Sequence, residues 1–542
     1  MAEKCGIKSV RKNSAKQNTN EMQMKKTIDM TTGTPFTKII IFAIPIALGF
    51  ILQTLYSLGD TLIVSLSRGS TAMTGVNLTG SLGFLVTGFA QGVSAGFGIK
   101  LSQFVGAKDE KKMRNSVAVS IVLTLIIGVI ISVSFALLGR PILVAMHTNE
   151  IYIDYATSYV TTIFGGMIFT IFYNLSDQVL RAMGDSRTPL YVLIVCALLN
   201  VGLNSLLFVT DLGVEWAGYA TVISQAISAI IGFARIFTKF PQLRLKKEDF
   251  SFTKKFVAEH LGQGLPMAFQ FTVTATGCMI QQGAFNSLDS PVYSFAQSTA
   301  SKIDNFFSAG LNGCGTAMAT YVGQNFGAKR FDRIRSGARS AWIIGLIFTV
   351  FFGVADVLCS VPVARFLVKD ENATQEFFDL VLKYQTIQAS FYYFLFMIFC
   401  FRQCVQGIGY SGISLAGGVI EFLARLVVSS TVAVRYGFIG ACLSNPTAWV
   451  FAGVWLAVGF YVILNKLEKK NALRLSIEAV NPIDNSACKS IETEADQSST
   501  KSYVTEGDDL CEKSNKSEAD KLSEKSGESN ENIIDDSIDP KQ

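Results

Sequence analysis

The sequence predicts an all-α polytopic membrane protein with twelve transmembrane helices in two six-helix lobes related by a parallel internal repeat. Three observations predict it. The chain holds twelve long apolar runs, its basic residues gather in alternate loops, and motifs recur at a constant offset of 221 residues, as from Pro45 to Pro266.

The runs come first. Only 16% of the residues are charged and 49% are hydrophobic, too little charge to cover a water-soluble surface for 542 residues. About twenty apolar residues span a bilayer as a helix. The candidate runs are 36–66, 71–99, 116–138, 155–180, 189–210 and 216–234, then 261–288, 291–322, 341–363, 378–400, 413–434 and 440–464. Each is expected to be helical, because lipid offers no partner to a free backbone N–H or C=O.

Loop charge supports the count. With a cytoplasmic N-terminus, the inner loops carry 19 Lys and Arg, with Arg181, Arg187 and Arg402 counted among them. The outer loops carry five: Arg68, Arg140, Arg365, Lys369 and Arg435. This positive-inside bias predicts that both termini are cytoplasmic, in a multi-pass protein of the plasma membrane.

The repeat is read from matches at one offset. Gln103, Gly106, Ala107 and Lys108 fall on Gln324, Gly327, Ala328 and Lys329. Pro45 falls on Pro266, Gly92 on Gly313 and Arg114 on Arg335. Six is an even number of spans, so the halves point the same way, about an axis along the membrane normal. Substrate is expected between the lobes near mid-membrane, with rocking giving alternating access.

The expected organisation has a polar N-terminal segment (1–35), an N-lobe (36–240), a basic linker (241–260), a C-lobe (261–466) and a Ser-rich tail (467–542). From Asn471 onward the chain has 17 acidic and 8 basic residues and few aromatics, the composition of a disordered segment. No P-loop or HExxH motif occurs, so neither ATP-driven transport nor an enzyme is expected. Two histidines and ten cysteines without a CxxC pair suggest no metal centre and no cofactor. A monomer in the bilayer, without a nucleic-acid partner, is expected.

Ionisable or amide groups inside apolar runs are costly and are functional candidates. Asp60 lies in the first run with no sequence-adjacent cation, and could hold and release H+ or Na+. Its repeat-related position is Gln281. Asn174 and Asp177, and Asn200 and Asn204, are spaced to share helix faces, with Thr221, Ser224 and Gln225 nearby in run six. Asp177 can pair with Arg181 at the i,i+4 spacing. In the second lobe Lys302 and Asp304 are two apart and cannot face each other, whereas Glu421 and Arg425 can pair. Asp356 and Lys383 lie nearer run ends, where they are expected to reach water. The aromatic stretch from Phe391 to Met397, with Trp449, Phe451 and Trp455, could wall a site for flat cations or simply pack.

The stretch Leu180-Arg-Ala-Met-Gly-Asp-Ser-Arg-Thr-Pro-Leu190 resembles the loop between helices four and five of the multidrug and toxic compound extrusion (MATE) family. Tyr56-Ser-Leu-Gly-Asp60, Leu199 to Asn204, Ala220 to Gln225, Ser301 to Asp304 and Val322 to Ala328 resemble further segments of that family, in order, over about residues 35–465. The resemblance implies a two-lobe secondary exporter that exchanges H+ or Na+ for organic cations and other xenobiotics. It implies cation coupling at Asp60, with Asn174, Asn200, Asn204 and Thr221 accompanying it. Many members carry Asp at the position of Asn204, and several carry a Glu in helix seven that 261–288 lacks. A second-lobe site around Gln281, Lys302, Asp304, Glu421 or Arg425 therefore stays open. So do two other functions: a lipid-linked-oligosaccharide flippase, and a non-transporting membrane sensor or scaffold.

Overall fold

The computed structural model describes residues 27–480, apart from 147, 149, 209, 211–212, 289 and 369–373. The side chains of several residues between 58 and 81, including that of Asp60, lie outside the described set, as does the tail after Val480. The chain divides into two units, Met1–Leu467 and Glu468–Gln542.

Among the described residues the regular structure is helical. The first half holds α1 (Pro35–Leu78), α2 (Gly80–Gly106), α3 (Glu110–Ala145), α4 (Glu150–Gly165), α5 (Met167–Ala182), α6 (Arg187–Asn204) and α7 (Glu215–Lys239). The second holds α8 (Lys254–Asn286), α9 (Pro291–Gly327), α10 (Phe331–Leu367), α11 (Gln375–Ser390), α12 (Tyr392–Ile408), α13 (Ser411–Cys442) and α14 (Ser444–Val480). Each helix of the first half has its counterpart seven places later. The pairing extends to irregularities. Pro45 and Pro266 lie inside α1 and α8, and Pro141 and Pro362 inside α3 and α10. The fourth span of each lobe is broken, with α4 and α5 meeting at 47° and α11 and α12 at 49°. The expected single runs at 155–180 and 378–400 are thus bent pairs. In the first lobe the break falls at Gly165–Gly166, where a side chain on Gly166 would run into Val222.

Among the described residues eight helices are long and apolar enough to cross a bilayer, and the two bent pairs make ten. The other two of the twelve spans are α8 and α9, whose apolar character is diluted by Gln263, Gln270, Gln281, Gln297, Asp304 and Asn312. These helices face protein rather than lipid: α8 packs on α2 and α13, and α9 on α1, α10 and α12. Buried amides are tolerated there because neighbouring helices supply partners.

Small residues let the halves meet closely. A Cβ on Gly92 of α2 would lie 2.6 Å from Cα of Ala268 on α8, and one on Gly313 of α9 would lie 2.5 Å from Cα of Ala47 on α1. Gly313 is the repeat mate of Gly92, and Ala268 of Ala47, so one contact is built twice about the pseudo-two-fold axis.

The same doubling closes the end of the bundle where α2 and α9 terminate. Gln103 donates from Nε2 to the Gly407 carbonyl (2.9 Å), and its mate Gln324 donates to the Ala182 carbonyl (2.9 Å). Gly106 lies against the Gln324 carbonyl and Gly327 against the Gln103 carbonyl, each so close that a Cβ would overlap the oxygen. Lys108 and Lys329 then turn the chain with φ of 57° and 56°, the two described non-glycine residues in left-handed conformation. Residues 28–33 lie over this seam. The Ile28 N–H donates to the Gly184 carbonyl (2.9 Å), and the Met30 N–H to Gln324 Oε1 (3.1 Å). Asn325 and Arg333 donate to the Met30 carbonyl (3.0 and 3.1 Å). The basic linker is not loose: buried Asp249 accepts from Arg114 (3.2 Å) and so pins it to α3.

Candidate substrate cavity and coupling sites

A cavity of about 90 Å³ lies on the pseudo-two-fold axis between the halves. Its lining comes in repeat-related pairs: Phe50 with Phe271, Gln91 with Asn312, and Arg181 with Arg402. Each of the last three pairs is separated by the same 221 residues as the sequence motifs. Arg181 extends from the end of α5 and Arg402 from the middle of α12, the second members of the two bent pairs. Both arginines, counted with the inner loops from the sequence, line an interior space.

Each arginine is anchored from behind. Asp177, one turn earlier on α5, accepts from Arg181 Nε (3.1 Å) and Nη2 (2.8 Å), as the i,i+4 spacing foretold. Arg402 pairs with Glu421 of α13. Glu421 also takes Arg425 Nη1 (3.3 Å), and Arg425 donates from Nε to Asn445 (3.0 Å). The expected Glu421–Arg425 pair is therefore one edge of a buried triad that reaches the cavity through Arg402. A Gln270 amide terminus lies beside Arg402, and turning its oxygen toward the guanidinium gives acceptor distances of 3.1 and 3.3 Å. Removing one member of a buried ion cluster strands the others' charge, at about 3–5 kcal/mol. Glu421→Gln is expected to lower stability by that order, read as a lower unfolding temperature of the purified protein. An unchanged melting curve would count against the triad.

The first-lobe candidates separate into two groups. Asn204 Nδ2 donates to Asn200 Oδ1 (2.8 Å), and Asn200 Nδ2 donates to Thr221 Oγ1 (3.1 Å). This chain ties α6 to α7. Thr221 also lines a second cavity of about 410 Å³ with Tyr56, Tyr159, Thr170 and Gln225, the last two hydrogen-bonded to each other. That volume is in the drug-sized range. Asn174 sits apart, beside Asp177, Gln53 and Arg181 in a narrow space adjoining the interface cavity. The side chain of Asp60 lies outside the described residues.

In the second lobe Asp304 and Lys302 diverge as their spacing requires. Lys302 is exposed, whereas Asp304 is buried on α9. Gln281, the repeat mate of Asp60, is also buried. Asp304 has a partner that sequence reasoning missed. Tyr392, at the start of α12, places its hydroxyl 2.8 Å from Asp304 Oδ1 and 2.9 Å from Asp356 Oδ2. Asp356 of α10, expected to reach water, is fully buried, and its Oδ1 has no hydrogen-bond partner among the described residues. The run-end reading fails because α10 continues to Leu367 and turns Asp356 toward α12. A tyrosine hydroxyl carries one proton. It can donate to one carboxylate only, so the second short contact requires a proton on an acid. A proton carried by either acid would satisfy that second contact. Within the aromatic stretch, then, Tyr392 has a polar task. Trp449 packs beside it, ring centroids 6.4 Å apart, while Phe451 and Trp455 are exposed on the outer surface.

The comparisons with known proteins agree with this architecture. A family model described as MatE matches residues 45–206 and 266–431, once in each half. A Thermotoga maritima protein named "Probable multidrug resistance protein NorM" is 25% identical over 455 residues, covering 80% of this chain and 94% of that protein. A Bacillus subtilis protein named "Probable multidrug resistance protein YpnP" is 28% identical over 314 residues, covering 57% of this chain and 69% of that one. A solved structure described as MATE in complex with MaL6 superposes with a TM-score of 0.76 at 20% identity, over 81% of this chain and 98% of that chain, and shares the fold.

Proposed function

The chain belongs to the MatE family, and from that premise we propose that it is a secondary active efflux transporter exporting drug-sized organic compounds, organic cations among them, in exchange for H+ or Na+. The observation that carries the reading is a drug-sized first-lobe cavity in a protein of two six-span lobes that meet at a doubled seam. Interhelical hydrogen bonds in membranes average about 0.6 kcal/mol. The two glutamine bonds of the seam are therefore worth about 1 kcal/mol together, little enough for the lobes to part in each cycle. Loop charge supports a cytoplasmic side for both termini, in what is proposed to be the plasma membrane, and on that reading the seam closes the inner face. The lobes divide as 36–240 and 261–466, with the linker 241–260 between them and the tail 467–542 beyond, and the protein acts as a monomer.

The cation cargo is assigned to the 410 Å³ first-lobe cavity, whose described lining mixes hydroxyl, amide and aromatic groups with apolar ones such as Val76, Ile163 and Met167. Asp60, with Asn174, Asn200, Asn204 and Thr221, is assigned to first-lobe coupling, and Asp304 with Asp356 and Tyr392 to second-lobe coupling. H+ or Na+ needs no organic cofactor. The test is dye export in proteoliposomes under a pH gradient or a Na+ gradient, imposed one at a time. Wild-type protein is expected to move a cationic dye under one of them, and Asp60→Asn to lose that flux with expression intact. Full transport by Asp60→Asn would remove Asp60 from the mechanism, and no flux under either gradient would remove the exporter reading.

A further inference from the structure

The interface cavity presents charge of one sign. Arg181 and Arg402 are the only ionisable residues in its described lining, and both acids that anchor them, Asp177 and Glu421, stand outside that lining. We propose that the two guanidinium groups form a binding site for an oxyanion, the carboxylate or phosphate group of a soluble ligand, held on the axis between the lobes.

The donor arithmetic favours it. A guanidinium carries five N–H donors in a planar fork that matches carboxylate and phosphate oxygens. Asp177 takes one donor from Nε and one from Nη2 of Arg181, so three remain. Glu421 takes one from Arg402, and Gln270, with its oxygen turned inward, two more, so two remain. The anchoring acids fix both forks before a ligand arrives, which reduces the ordering cost of binding. The neutral amides of Gln91 and Asn312 flank the pair and can donate as well.

Size points to the same class of ligand. At about 90 Å³ the cavity falls short of the ~300 Å³ and more of drug-sized sites, and suits a small oxyanion group. Phe50 and Phe271 line opposite halves of the cavity, and the Arg181 guanidinium sits 5.6 Å from the Phe50 ring centroid. They offer apolar faces to a small aromatic body attached to the anion. An organic cation would meet two like charges here, which disfavours it. Because each half contributes one arginine, an anion bridging them is bound best while the lobes are together. It would therefore favour the closed seam.

The test is equilibrium binding of phenyl phosphate and of inorganic phosphate to the purified full chain in phosphatidylcholine nanodiscs. Wild-type protein is expected to bind phenyl phosphate, with affinity falling as salt rises. Arg181→Gln and Arg402→Gln are each expected to weaken binding about tenfold to hundredfold, the loss typical of a charged hydrogen bond. Arg181→Lys and Arg402→Lys, which keep the charge beside the anchoring acids, are expected to retain binding between wild type and the Gln variants. Absence of wild-type binding overturns the proposal, as does wild-type affinity in both Gln variants. Competition by phosphatidylglycerol at matched phosphate concentration also overturns it, because the site would then belong to a lipid headgroup. If the wild type exports a cationic dye yet binds neither phosphate probe, the oxyanion site fails and the exporter reading stands.

Discussion

Gly327→Ala is expected to cut gradient-driven export to less than about a tenth of wild type, and Gly106→Ala to do the same. In the closed seam a Cβ at either position overlaps the carbonyl of Gln103 or Gln324 on the opposing helix. Overpacking a tight contact costs about 1–3 kcal/mol. That penalty falls on the closed state and lowers its population about 5-fold to 150-fold. An exporter that cannot close its inner face cannot sustain a cycle. The loss should be accompanied by increased reactivity of a cysteine placed beside the cavity toward a reagent added from the inner side. Two features make this a demanding test. The variants are conservative enough to fold, since both glycines lie at helix ends, and the repeat requires them to behave alike. Wild-type export by either variant would mean that the seam does not govern access.

The second large effect is expected at the buried acids of the second lobe. Asp304→Asn and Asp356→Asn should each reduce pH-gradient-driven export at least about tenfold, while leaving exchange of labelled cargo across an ungraded membrane largely intact. The reason lies in the count of protons. Two carboxylates share the hydroxyl of Tyr392 at 2.8 and 2.9 Å, which one phenolic proton cannot satisfy. An asparagine in place of either acid supplies a permanent donor to Tyr392 and removes the need for the exchangeable proton. Tyr392→Phe removes the bridge and leaves two buried acids without their shared partner, each of which costs about 1–3 kcal/mol to bury unsatisfied. It should lower both driven export and thermal stability. Driven export at the wild-type rate in both Asn variants would show that the trio is structural. The outcome also bears on the first lobe: if Asp60→Asn abolishes coupling while the second-lobe variants only reduce it, the halves carry unequal shares.

The helical class and the repeat were legible because each is written locally. Lipid forces helices wherever apolar runs are long enough, and a tight glycine contact made twice leaves the same Gly-Ala-Lys in both halves. The Asp177–Arg181 and Glu421–Arg425 pairs were legible for the same reason, being one helical turn apart. What escaped depends on contacts between distant helices. Arg181 and Arg402 read as inner-loop cations because the bends at 165–166 and 390–391 leave no break in the apolar pattern. The signal that would have found them was already in use, since 402 is 181 plus the repeat offset. Asp356 read as a residue near a span end because its partner, Tyr392, lies in another helix among look-alike aromatics. Asn174 and Asp177 share a helix face, as their spacing predicts, and line one narrow space, whereas Asn200 and Asn204 belong to the α6–α7 chain.

The account rests on two like lobes that close on one another at the α2–α9 seam and reopen to move cargo. The most direct measurement is the distance between spin labels at Lys111→Cys and Asp332→Cys, repeat-related exposed positions just beyond that seam. Pulsed electron spectroscopy on the reconstituted protein should show a short population matching the closed seam and a longer one, with their ratio shifting when an exported dye and the driving gradient are added. A single short distance that persists through active dye export would contradict it.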